Sequence, residues 1–135
     1  MVSEKESVLR RCTFKPLGNG GPVFRLVTWD ANRTDTLGKH MLGYELTVKM
    51  SESAPAIVLF RGEDFGCSPK HAIDSDAAVE GIMSFLTLRP GDTDEEYFAG
   101  YTPDQRAFCE EHAEALSCEV RARFCDEDGN VKRSA

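Results

Sequence analysis

The segments of this chain that alternate apolar and polar residues with a period of two all lie before residue 62, and those with a helical repeat all lie after residue 73. Strands gathered first and helices afterwards argue against βαβ units, whose parallel strands need a crossover between each pair. The pattern predicts an α+β fold: a small antiparallel sheet of three to four strands, followed by two to three helices packed on one face.

The first strand is expected over 8–14, where Val8, Arg10, Cys12 and Phe14 alternate with Leu9, Arg11 and Thr13. Pro16 and the Gly-Asn-Gly-Gly-Pro run at 18–22 then break the chain. Residues 23–29 are rich in β-branched and aromatic types, and 41–50 puts Leu42, Tyr44, Leu46, Val48 and Met50 on one face, with Glu45, Thr47 and Lys49 on the other. The polar connection 30–40, which contains Gly38, predicts a hairpin with a long tip. After a turn at 51–55, a last short strand is expected over 57–61.

Asp74, Ser75 or Asp76 caps the next element, a helix with Val79, Ile82, Met83 and Leu86 on one face that ends before Pro90. Thr93 and Glu96 fit a capping box and open a short helical turn to Phe98. Thr102 and Gln105 repeat the device, with Pro103 at the first helical position, where its missing N–H costs nothing. The helix that follows should run to about residue 125. Its apolar stripe is Cys109, Ala113, Leu116, Val120 and Phe124, while Glu110, Glu111, Glu114 and Glu119 ring the exposed side and His112 sits exposed among them. With no repeat or linker, residues 1–135 are expected to form one domain, with 1–7 and 129–135 as flexible ends.

At 41% hydrophobic and 29% charged, the composition is too apolar for a disordered chain. The longest apolar run, 56–60, falls far short of the ~20 residues of a membrane helix. The start Met-Val-Ser-Glu-Lys-Glu-Ser alternates charge where a secretory signal has a basic start and an apolar stretch, so a cytoplasmic location is expected. The five cysteines are odd in number and form no Cys-x-x-Cys pair, which predicts reduced thiols acting as small apolar side chains. The net charge of −7 is unevenly spread. Residues 1–50 hold eight Lys/Arg against five Asp/Glu, a net of plus 3, and residues 89–128 hold twelve Asp/Glu against four Lys/Arg, a net of minus 8.

Functional side-chain types are densest over 62–76, read as a loop, with Glu63, Asp64, Cys67, Ser68, Lys70, His71, Asp74 and Asp76. A small enzyme built there would use Glu63, Asp64 and His71, with Asp30 or Glu45 contributed from the sheet. Caps and turn residues account for most of the same side chains, and Pro69 makes a Cys67–His71 nucleophile and base a poor fit. Cys67 with His71 and Cys109 with His112 are a zinc alternative, but neither spacing is that of a finger or ribbon. Arg10, Arg11, Lys15, Arg25, Arg33 and Lys39, with Trp29 and Tyr44 to stack bases, are opposed as a nucleic-acid surface by the acidic second half.

The leading expectation is a non-enzymatic binding or regulatory protein with no cofactor and no metal. It would present Asp92, Asp94, Glu95, Glu96, Glu110, Glu111 and Glu114 to a protein partner with a basic surface, in the extreme imitating a nucleic-acid backbone. Glu63, Asp64 and His71 are the further binding candidates, the hairpin tip is a second contact region, and a homo-oligomer is the structural alternative.

Overall fold

The computed structural model describes residues 8–67, 73–86 and 102–128, apart from the side chain of Cys109. Four strands, β1 (Val8–Phe14), β2 (Val23–Thr34), β3 (His40–Lys49) and β4 (Ile57–Cys67), form one antiparallel sheet in the order β1-β2-β3-β4. Two described helices follow, α1 (Asp76–Leu86) and α2 (Pro103–Phe124). This is the α+β order predicted from the pattern of repeats. The short helical turn expected over 93–98 and the ends 1–7 and 129–135 lie outside the described residues. Among the described residues no helix is long and apolar enough to cross a membrane.

Alternation decides which face is covered. Phe24, Leu26, Leu42, Tyr44, Leu46 and Val48 are buried with Val79, Ile82 and Met83 of α1 and Leu116, Val120 and Phe124 of α2 in one core. Phe14 meets Phe124 edge-on at 6.5 Å, and Phe24 and Phe60 both pack on Phe108, so strands and α2 close on each other through aromatic contacts. The expected face of 41–50 is therefore the helix-facing one, except that Met50 lies past the end of β3 and is 52% exposed.

Both helices start at side-chain caps. Ser75 accepts from the amide of Ala78 at 3.2 Å, which selects Ser75 among the three predicted caps of α1, and Arg10 of β1 binds Asp76 at 2.8 Å. At α2 the Thr102 hydroxyl accepts from the Gln105 amide while the Gln105 side chain accepts from the Thr102 amide. Gln105 also donates to the Leu59 carbonyl at 2.5 Å, so this capping box fixes the helix to the sheet.

Four expectations about loops and exposure are corrected. The last strand does not end at residue 61: β4 continues to Cys67, so Glu63 and Asp64 stand on a strand and not in a loop. The hairpin tip is also shorter than 30–40, because β2 continues to Thr34 through an irregularity opposite Leu42 and His40. Asn32 takes φ +58 there, and the Asp30 carboxylate accepts its amide at 2.8 Å. What remains of the tip is organised by Asp35, whose carboxylate accepts from the amides of Leu37 and Lys39, with Gly38 at φ +81. On α2, His112 is buried against Phe24 and Phe108, not exposed, and Glu119 turns inward to accept the Lys15 amide at 3.0 Å.

Candidate functional site

The candidate residues on β4 part company because of a bulge. Leu42 opposes Phe65 and Tyr44 opposes Gly62, so Glu63 and Asp64 together face the single residue Gly43 and turn to opposite faces. Glu63 accepts from the indole N–H of Trp29 at 2.8 Å, while its carbonyl accepts from Arg33 at 2.7 Å. Asp64 accepts from the Tyr44 hydroxyl at 2.7 Å. Burial, and then the Asp64 carboxylate, push the Tyr44 phenol above its ordinary range. The convergence that an enzyme using Glu63 and Asp64 requires is not formed by this pair, and His71 lies outside the described residues.

The sheet carboxylates are similarly engaged. Asp30 lies 2.5 Å from Nε2 of the buried His40, and Glu45 binds Arg61 at 2.8 Å. Arg61 also stacks over Trp29, 4.7 Å from the ring centre. Trp29 and Tyr44 are 1% and 5% exposed, so neither offers a ring face on which a base would stack. Cys67 is buried and its thiol is pushed up by burial, the opposite of what an attacking thiolate requires. Among the described residues no group of three or more His, Cys, Asp or Glu could hold a metal ion.

The acidic positions on α2 stand differently. Glu110, Glu111 and Glu114 are all exposed, as expected from the helical repeat, and Asp104 joins them in the first turn. Glu110 binds Arg106 at 3.0 Å, one turn before it. The basic residues of α2's last turn, Arg121 and Arg123, lie at the far end, so acids toward the N-terminus and bases toward the C-terminus also match the helix dipole. Asp92, Asp94, Glu95 and Glu96 lie outside the described residues.

Beside this acidic face opens a cleft of about 190 Å³ between α2 and the β3–β4 hairpin. Val48, Ile57 and Leu59 line it from the strands, Met50 from the turn between them, and Phe108 and His112 from the helix. Met50 and Ile57 are 52% and 45% exposed. Sequence reasoning missed this site. Its one-dimensional trace is two apolar residues, Met50 and Ile57, flanking a polar turn that brings them together. No protein-family model, curated protein or solved structure matches the chain.

Proposed function

We propose that this chain is a protein-binding, regulatory molecule that presents the N-terminal half of α2 to a partner with a basic surface. The observation that carries the reading is the juxtaposition of exposed Glu110, Glu111, Glu114 and Asp104 with the exposed apolar residues Met50 and Ile57. A polar rim around an apolar centre is the anatomy of a protein interface. One-signed charge at that rim speeds encounter with an oppositely charged partner and repels others. The dipole match described above accounts for some of the helix's charge order, but not for apolar side chains left open beside it.

The test uses the full chain as bait at rising salt, alongside Glu110→Lys/Glu114→Lys. Raising the salt from ~0.15 to ~1 M shortens the screening length from about 8 to about 3 Å, so bound partners should elute. They should also fail to bind the charge-reversed bait. Partners retained equally by both baits and at both salts would end the electrostatic reading.

A further inference from the structure

We infer that the cleft beside α2 is the anchoring socket of this acidic face, and that it takes one bulky apolar side chain of a partner segment in which a neighbouring residue is Lys or Arg. The inference rests on the proposed function and specifies its partner.

Size is the first argument. Pockets for small organic ligands span ~300–1,000 Å³, and at about 190 Å³ the cleft has room for a single large side chain instead. Its lining is apolar on both sides, with Phe24, Val48 and Leu59 beneath and Phe108 on the helix. Interfaces commonly concentrate their affinity in one such anchor seated in a water-excluding pocket.

Charge supplies the second argument. Asp104, Ala107 and Glu111 line the cleft from one flank of α2, spaced three and four residues apart, so two carboxylates stand at its lip with a methyl group between them. Arg106, the nearest cation on the helix, is turned to Glu110. The lip is therefore complementary to a cation and repels an acidic or phosphorylated segment.

His112 is the third. It lines the cleft, is 7% exposed, and among the described residues makes no hydrogen bond; its nearest charge is Glu111, with Oε2 3.8 Å from Nε2. Its ring nitrogens are not sealed from solvent, so they are open to a group that enters the cleft. In this apolar setting it is placed to bond the main chain of an inserted segment.

The experiment selects a random-sequence peptide library, displayed on phage, against the immobilised full chain and measures the affinity of the selected peptides. They should carry a bulky apolar residue next to Lys or Arg. Ala107→Trp, at an exposed position, fills the mouth of the cleft and should weaken them roughly thirtyfold, the usual size of a lost anchor. Met50→Ser, which removes one wall from an exposed position, should weaken them too, and circular dichroism verifies the fold of both variants. Asp104→Asn/Glu111→Gln should cost a few-fold and flatten the salt dependence. Loss of binding with the charge variants but not with Ala107→Trp or Met50→Ser would overturn the socket and leave the acidic-face reading standing. Acidic peptides, no selected peptides, or indifference to every variant would overturn both. A dimer seen by light scattering and dissociated by Ala107→Trp would overturn the partner segment in favour of a second copy of this chain.

Discussion

Gly43 sits in the middle of β3, directly opposite Trp29 of β2, and the indole lies across it to reach Glu63 on β4. A methyl group at this position would come inside 3.0 Å of three ring atoms, Cε2, Nε1 and Cζ2, so Gly43→Ala cannot be absorbed without moving the ring. Overpacking of this kind costs about 1–3 kcal/mol. A displaced ring also gives up its bond to the Glu63 carboxylate, about 1.5–3 kcal/mol, and its stacking with Arg61, about 0.5–1 kcal/mol. Against these stands a gain of about 0.5–1 kcal/mol for replacing glycine within a strand. Because the losses share one displacement and do not add fully, the net is a destabilisation of roughly 2–5 kcal/mol.

Trp29 is the single tryptophan of the chain, so its fluorescence reports both unfolding and the local displacement. At a urea slope of ~2 kcal/mol per molar, the midpoint of Gly43→Ala should fall by about 1–2.5 M, with a changed emission maximum before unfolding. Circular dichroism of the same substitution in a Trp29→Val background isolates the cause. With no indole to strike, Gly43→Ala should cost nothing there and return the strand gain of about 0.5–1 kcal/mol. A loss below ~1 kcal/mol with unchanged emission, or an equal loss in both backgrounds, would refute the close approach as the reason for glycine.

Thr102→Ala removes the hydroxyl that caps α2 and should lower stability by about 1 kcal/mol in a denaturant titration, whereas Thr102→Ser should stay close to the parent. The phenol of Tyr44 ionises later in the folded chain than the ~10 of an exposed tyrosine, so its contribution is complete below about pH 10 and is lost as pH rises above it. Urea midpoints should therefore decline on the alkaline side, and a Tyr44→Phe variant whose decline is just as steep would assign it elsewhere. Burial raises the Cys12 and Cys67 thiols, while Cys118 is exposed. Mass spectrometry after brief alkylation should find Cys118 modified ahead of both; early labelling of Cys67 would contradict its placement beneath the helices.

Legibility in the sequence followed the range of the interaction responsible. The period-two face of β3 and the Thr102 capping box are readable because each pattern is complete within a few residues, and both stand where the pattern puts them. The run Gly-Glu-Asp-Phe-Gly at 62–66 has the composition of a loop. It is held as a strand by contacts across the sheet: Trp29 binds Glu63, and Tyr44 binds Asp64. These partners are 34 and 20 residues away, and no local propensity announces them. The polar segment through Arg33 is held in the same way, since the Arg33 guanidinium donates to the Glu63 carbonyl 30 residues away.

The candidate site divides along the same line. Glu110, Glu111 and Glu114 are exposed because they fall opposite the apolar stripe, which periodicity alone reveals. His112 was misplaced by its acidic neighbours, although Phe108, His112, Leu116, Val120 and Phe124 recur every four residues and are all buried. Weighting that recurrence above the adjacent glutamates would have placed the imidazole inside. The cleft left only Met50 and Ile57 as its trace, because its walls come from strands joined to α2 only by the folded chain. Charge on a helix is thus a local property, and the apolar opening beside it a tertiary one. A partner that depends on both should lose affinity when either is altered, so the filled-cleft and neutralised-lip variants need to be measured in the same assay.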